Sequence, residues 1–170
     1  YRYWRERFGR YRQGEPTYFW LHAASVGEVS AATPLIKQIC RQYPNRRLLI
    51  TTVTPSGARA VRDRLPNSVD HAYLPLDSPR AMCRFLQRFR PSCGLIMETE
   101  LWPCLFKACA ETDTPLAIVN GRLSPRTLQA AAWIRRLYAE SLSRISCVLA
   151  RSESDRLNYI RLGARTERAR

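Results

Sequence analysis

Residues 48–57 read Leu48-Leu49-Ile50-Thr51-Thr52-Val53-Thr54-Pro55-Ser56-Gly57. Leu48–Val53 is a continuous β-prone run, and it stops at Thr54-Pro55, a helix-start signature with proline at the first helical position. A helix over Ser56–Leu65 follows, so this stretch is one strand–loop–helix unit. The same unit recurs in both directions along the chain. Upstream, Tyr18–His22 is a short apolar run, and Ala31, Leu35, Ile36, Ile39 and Tyr43 then repeat at helical spacing. Downstream, Ala72–Leu74 predicts a third strand. Asp77-Ser78-Pro79 starts a helix that places Met82, Phe85, Leu86 and Phe89 on one stripe. Gly94–Met97, then Glu98–Pro103 and a helix through Ala110, make the fourth unit. Leu116–Val119, Asn120–Pro125 and an apolar helical stretch make the fifth, and Cys147–Ala150 with a helix from Glu153 to about Leu162 makes the sixth.

Short apolar strands alternating with amphipathic helices predict an α/β fold: a Rossmann-like parallel sheet with helices on both faces. Ligands of such sheets sit outside the carboxyl ends of the strands. That rule selects four loops, Ala23–Glu28, Thr54–Gly57, Glu98–Pro103 and Asn120–Pro125. No G-x-G-x-x-G and no G-x-x-x-x-G-K-[ST] occurs, which disfavours dinucleotide binding and a P-loop.

The 170 residues, 45% of them hydrophobic, suffice for one domain with a real core. No apolar run approaches the roughly 18 residues of a membrane span, and no signal-peptide pattern opens the chain. The first residue is Tyr1 and no stop signal is visible near Arg170, so the chain is expected to be part of a longer protein. The formal charge is +14 (28 basic against 14 acidic residues), and Lys37 and Lys107 are the only lysines. Such an arginine excess points to phosphorylated substrates, anionic lipid or nucleic acid, or to a compositional preference for Arg over Lys. Six cysteines and two histidines are present without any C-x-x-C pair, which does not make a zinc site; buried, reduced thiols are expected instead.

Two loops carry carboxylates. His22-Ala23-Ala24-Ser25-Val26-Gly27-Glu28 places small residues at a helix N-terminus whose free N–H groups suit an anion. Ser25-x-x-Glu28 is also a capping box, and cap and catalytic carboxylate are compatible roles for Glu28. Met97-Glu98-Thr99-Glu100-Leu101-Trp102-Pro103 sets two carboxylates at the end of a buried strand. In extended geometry they point to one side, and a helix onset at Leu101 splays them. Helix-dipole compensation, hydrogen bonding to sugar hydroxyls, base catalysis and pairing with arginine all remain open there.

The runs LHAASVGE, LITTVTPSGARAV, AYLPLDSPRAMCRFL, LIMETELWPCL and IVNGRLSPRT, in this order between about Tyr3 and Ala164, resemble the N-terminal domain of 3-deoxy-D-manno-octulosonic acid (Kdo) transferases. The resemblance implies an inverting, metal-independent, two-domain GT-B glycosyltransferase of lipopolysaccharide biosynthesis. It implies CMP-Kdo as donor, a lipid A precursor (lipid IVA) as acceptor, and no cofactor. Glu28 would be the general base and Glu98 would stabilise the transition state. Ser25, Gly27, Glu100, Asn120, Arg122 and Ser124 would contact substrate. The implied organisation is a basic, aromatic membrane-proximal lead-in over 1–16, an acceptor-binding domain over 17–164, and an interdomain segment from 165 to 170. The donor-binding domain would lie beyond it, so this chain alone would not turn over substrate. The implied location is the cytoplasmic face of the bacterial inner membrane, with the arginines and aromatics of Arg2–Arg12 facing an anionic membrane surface and no nucleic acid partner. A related GT-B acceptor domain for another sugar and a non-catalytic basic module for nucleic acid are the alternatives.

Overall fold

A computed structural model describes residues 2–12, 15–98, 101–123 and 125–170. Its six strands are β1 (Phe19–His22), β2 (Leu48–Thr52), β3 (Val69–Tyr73), β4 (Cys93–Met97), β5 (Leu116–Gly121) and β6 (Cys147–Ala150). They form one sheet in the order β3-β2-β1-β4-β5-β6, and every neighbouring pair is parallel. The helices are α1 (Arg2–Arg7), α2 (Val26–Gln42), α3 (Pro55–Arg64), α4 (Pro79–Phe89), α5 (Pro103–Glu111), α6 (Pro125–Leu128), α7 (Ala132–Ser143) and α8 (Glu153–Arg161).

The expected α/β architecture is therefore present, and alternation along each strand feeds two cores. On one face Leu21 and Ile50 meet Val29, Ala32 and Ile36 of α2 and Ala60 and Val61 of α3. On the other, Trp20, Leu49, Ile96 and Ile118 meet Met82 and Phe85 of α4, Leu105 and Phe106 of α5, Leu142 of α7 and Tyr159 of α8. This division follows from handedness. A right-handed crossover that steps from β1 toward β3 lays its helices on one face, and one that steps from β3 back across to β6 lays them on the other.

Several sequence expectations need correction. The buried stripe of α2 is Val29, Ala32 and Ile36, whereas Ala31 and Leu35 face solvent. Apolar residues are frequent enough in that helix to offer two overlapping 3.6-residue stripes, and packing on β1 selects one. Strand β3 begins three residues before Ala72, because Val69, Asp70 and His71 pair with β2 although two of them are polar. Helix α5 begins at Pro103 rather than Leu101, since proline supplies the fixed φ of a first helical turn. Of the six free cysteines only Cys109 is buried, and Cys83 is exposed. Burial pushes the Cys109 thiol up to about 12.

The N-terminal residues pack on the domain. The Glu6 carboxylate accepts the Tyr73 N–H at 2.8 Å, and the Arg7 guanidinium donates to the Leu74 carbonyl. Helix α1 thus engages edge strand β3.

Several polar groups inside the sheet are matched, although His22 Nε2 is buried without a hydrogen-bond partner among the described residues. Trp20 Nε1 donates to Thr51 Oγ1 at 2.8 Å, and His22 Nδ1 lies 3.0 Å from the same hydroxyl and 3.2 Å from the Thr51 carbonyl. His71 Nε2 lies 3.0 Å from Thr52 Oγ1. Burial lowers the pKa of His22 to about 3, and burial with the charges of Arg2 and Arg62 does the same to His71.

The tightest point of the sheet is Gly94 on β4. A Cβ there would lie 2.7 Å from both the Trp20 ring and Leu116 Cδ1, so only glycine admits the indole between β1 and β4. Gly94→Val is expected to destabilise the domain by about 1–3 kcal/mol through overpacking, read from denaturant unfolding. The histidines predict an acid dependence. Above pH 6.5 both states hold them neutral; below it the unfolded state takes up protons that the folded state refuses until about pH 3, so stability falls with falling pH. His22→Asn with His71→Gln retains the hydrogen-bonding positions, and it should flatten the decline in melting temperature between pH 6.5 and 4 relative to the parent protein.

Candidate active site

Strand order reverses between β1 and β4. From β1 the chain steps outward to β2 and β3, then crosses back to β4 and continues to β5 and β6. Loops leaving the carboxyl ends of β1 and β4 therefore diverge to opposite faces and leave a crevice between them, the topological switch point where ligands of open α/β sheets bind. His22 pairs in register with Ile96, so the two acidic loops emerge side by side.

The β1 loop is anchored to the end of β2. Ala23 N–H donates to the Thr51 carbonyl at 2.9 Å, and the Ala24 carbonyl accepts from Val53 N–H at 3.1 Å. Ser25 is the N-cap of α2, and its hydroxyl oxygen accepts the Glu28 N–H at 3.3 Å. Glu28 closes the box in a modified form. Its Oε2 accepts the Ala24 N–H at 2.9 Å and its Oε1 accepts the Ser25 hydroxyl at 3.0 Å. Glu28 is 8% exposed, held at the positive end of a 17-residue helix. Two of its donors are a backbone amide and the neighbouring hydroxyl, so the cap itself holds the side chain in position. Gly27 is exposed, and a Cβ on it would meet nothing nearer than Ser25 Oγ at 3.8 Å. Glycine there keeps the first turn of α2 bare.

The β4 loop departs from expectation. Glu98 is not extended: its φ is +57°, the left-handed region that a non-glycine residue enters at a cost. Two hydrogen bonds hold it. Its N–H donates to the Val119 carbonyl at 3.0 Å, continuing the ladder to β5, and its carbonyl accepts the Tyr159 hydroxyl at 3.1 Å. Glu100, expected beside it, lies outside the described residues. Farther along, the Asp77 carboxylate accepts from the N–H groups of Cys104 and Leu105 at 3.1 and 3.0 Å, closing the start of α5.

In the β5 loop, Asn120 also has positive φ, +54°, and sits at a register shift between Val119 and Gly121. The strand thus runs two residues past Val119 before the loop begins. Gly121 makes room for Tyr159, whose ring would lie 2.9 Å from a Cβ at that position. Arg122 is exposed and Leu123 is buried. Leu123 N–H donates to Asp155 Oδ1 at 3.0 Å, and the Ser152 hydroxyl donates to Oδ2 at 2.7 Å. Burial disfavours the Asp155 charge, but those two donors with the Arg151 and Arg122 charges outweigh it and hold the carboxyl below its usual range. Ser124 lies outside the described residues.

Glu28, Glu98, Asn120 and Arg122 therefore occupy the carboxyl ends of β1, β4 and β5, with Ser25 and Gly27 around Glu28. Tyr159 and Asp155 of α8 were not foreseen from the sequence. The Tyr159 hydroxyl ties the Glu98 carbonyl to the Arg122 backbone, and Asp155 holds the same loop through Leu123. Ser152-x-x-Asp155 ahead of a helix was the available signal for Asp155; nothing local marks Tyr159. His22 and Trp102 form an edge-to-face ring pair at 5.8 Å between the two acidic loops. Chemically, the crevice offers a fixed carboxylate able to take a proton, a second acidic residue on the neighbouring strand, and an arginine.

Comparisons with known proteins bear on the fold and the family. The fold is that of GT-B glycosyltransferases and epimerases. Anabaena HepE in complex with UDP and glucose superposes with a TM-score of 0.64 at 15% identity, over 91% of this chain and 43% of that one. The UDP-GlcNAc 2-epimerase from Neisseria meningitidis bound to UDP-GlcNAc gives 0.61 at 13% identity, over 89% and 45%. Among proteins of assigned activity, the 3-deoxy-D-manno-octulosonic acid transferase of Haemophilus influenzae is 38% identical over 161 residues, 93% of this chain and 38% of that protein. The Bordetella pertussis enzyme of the same name is 37% identical over 169 residues, 93% of this chain and 39% of that protein. The Rickettsia felis enzyme is 36% identical over 146 residues, 85% of this chain and 31% of that protein. The chain thus spans under two-fifths of these relatives. Residues 2–170 match the family described as 3-deoxy-D-manno-octulosonic-acid transferase (kdotransferase), and the chain belongs to that family.

Proposed function

We propose that this chain is the acceptor-binding half of a glycosyltransferase that moves Kdo from CMP-Kdo to a lipid A precursor, lipid IVA, in lipopolysaccharide biosynthesis. The observation that carries the reading is Glu28: a carboxylate fixed by the Ala24 N–H and the Ser25 hydroxyl at the switch-point crevice of a Kdo transferase family member. Residues 17–164 form the acceptor side, residues 165–170 lead toward a donor-binding domain, and turnover requires both.

In this mechanism Glu28 takes the proton of the acceptor hydroxyl as that oxygen attacks the anomeric carbon of Kdo. The new C–O bond forms on the face opposite CMP while the bond to the CMP phosphate breaks, so the configuration inverts. An alcohol is a poor nucleophile until a positioned base removes its proton during bond formation. Glu98 stabilises positive charge that develops at the sugar. Its left-handed backbone, braced by Val119 and Tyr159, supports such a role by fixing where the side chain leaves the loop. Asn120 and Arg122 bind acceptor groups, the guanidinium matching phosphate, with Ser25, Gly27, Glu100 and Ser124 completing the contacts. The proposed reaction uses no metal or cofactor: the proton goes to a carboxylate and CMP leaves as the nucleoside monophosphate.

The acceptor sits in a membrane, and two exposed aromatics of the N-terminal segment, Trp4 at 62% and Phe8 at 53% exposure, suit contact with the anionic cytoplasmic leaflet of the inner membrane. Among the described residues no helix is long and apolar enough to cross a membrane.

Glu28→Gln in the full-length enzyme should lower kcat for Kdo transfer about 10²- to 10⁴-fold. The amide oxygen still accepts the Ala24 N–H, so the melting temperature should change little. Near-normal transfer by that variant would remove Glu28 from the role of base.

A further inference from the structure

A cavity of about 880 Å³ lies away from the candidate active site, between the N-terminal segment and the edge of the sheet at β3. Its floor is apolar, made by Leu49, Ala72 and Phe89. Arg47, on its wall, immediately precedes β2, and Asp70 pairs in register with Leu49. The cavity therefore opens toward the amino ends of β2 and β3, whereas the acidic loops leave from the carboxyl ends of β1 and β4.

Its walls carry six arginines against three carboxylates, a net +3, because His71 in the lining is held neutral by burial. The carboxylates are already engaged. Glu6 pairs with Arg2 at 2.7 Å and also accepts the Tyr73 N–H. Asp70 pairs with Arg47 at 2.7 Å, and Glu15 lies 3.7 Å from the same guanidinium. Four cations remain without a carboxylate among the described residues: Arg5, Arg10, Arg12 and Arg88. Arg88 donates to the Arg12 carbonyl at 3.3 Å.

Four uncompensated guanidiniums around one concavity repel each other. A bound anion would remove that repulsion, and the fork of each guanidinium matches the oxygen pairs of a phosphate. The net charge suits a group of two or three negative charges. The volume exceeds a bare phosphate, so the floor is available to the body that bears it. We propose that this cavity is a second anion site that binds a phosphomonoester or diphosphate group through Arg5, Arg10, Arg12 and Arg88. The site is separate from the Kdo-transfer crevice, and the assignment does not rest on that activity. The same chemistry is offered by a soluble phosphate ester and by a phosphate-bearing lipid headgroup.

The test is calorimetric titration of the full-length protein with inorganic pyrophosphate at low ionic strength. Two variants of equal net charge accompany it: Arg10→Gln with Arg12→Gln in the cavity, and Arg161→Gln with Arg165→Gln on exposed surface elsewhere. Saturable one-to-one binding is expected in the parent and the surface variant, weakened at least about tenfold in the cavity variant, a difference of about 1.4 kcal/mol. Flotation with phosphatidate-containing vesicles, against phosphatidylcholine alone, separates the sources. Phosphatidate-dependent binding lost in the cavity variant identifies a lipid-borne phosphate, and calorimetric binding without it identifies a soluble one. In the unaltered protein, pyrophosphate should also protect Arg10 and Arg12 from phenylglyoxal, a readout that does not depend on the variant folding. Equal affinity in the two variants, absence of that protection, or absence of both saturable pyrophosphate binding and phosphatidate-dependent flotation overturns the proposal.

Discussion

The pairing of β1 with β4 is the constraint on which the remaining architecture depends. Because these two strands adjoin while the chain between them visits β2 and β3, their following helices must lie on opposite faces. The pairing is sterically demanding. Trp20 of β1 fills the space that a side chain on Gly94 of β4 would occupy, and its indole N–H is matched by Thr51 of β2. The same close approach that buries the indole brings the carboxyl ends of the two strands together. Packing at the base of the sheet and the crevice at its top are thus two results of one contact.

At that crevice a structural device and a chemical one coincide. A capping box ordinarily satisfies orphan amides at a helix start. In α2 the glutamate reaches one residue beyond the N-cap, to the Ala24 N–H, so the carboxylate is drawn toward the strand end. The serine hydroxyl that caps the helix also donates to it. The cap fixes the carboxylate's position, and the proposed reaction uses its basicity. Glu98 is fixed by other means. Its unusual backbone is stabilised by β5 on one side and by Tyr159 of α8 on the other. The left-handed residues Glu98 and Asn120 both fall where neighbouring strands end beside Tyr159.

Much of this was legible from residue order. Strand–helix alternation predicted the sheet, the Met82–Phe85–Leu86–Phe89 stripe predicted the buried face of α4, and Ser25-x-x-Glu28 predicted the cap. The failures have physical causes. Val69–His71 pair as a strand although Asp70 and His71 are polar, because an edge strand needs burial on fewer sides. The α2 stripe was displaced because Ala31 and Leu35 are apolar yet face water. Tyr159 carries no local mark because its role arises from contacts with residues far away in sequence. The conformation of Glu98 likewise depends on strand β5, which no pattern within the Met97–Pro103 stretch reports.

The arginine excess divides by location. Some side chains are structural, such as Arg7 against Leu74 and Arg168 against the Ile145 carbonyl, and others gather around the cavity beside β3. Arg122 stands at the crevice itself. The central claim concerns Glu28, and a structure of the full-length enzyme with its lipid A precursor bound tests it most directly. The account predicts the acceptor's reacting hydroxyl within about 2.6–3.2 Å of the Glu28 carboxylate, with the Ala24 N–H still donating to Oε2. An acceptor whose reacting hydroxyl lies out of reach of Glu28 and against a different base would contradict it.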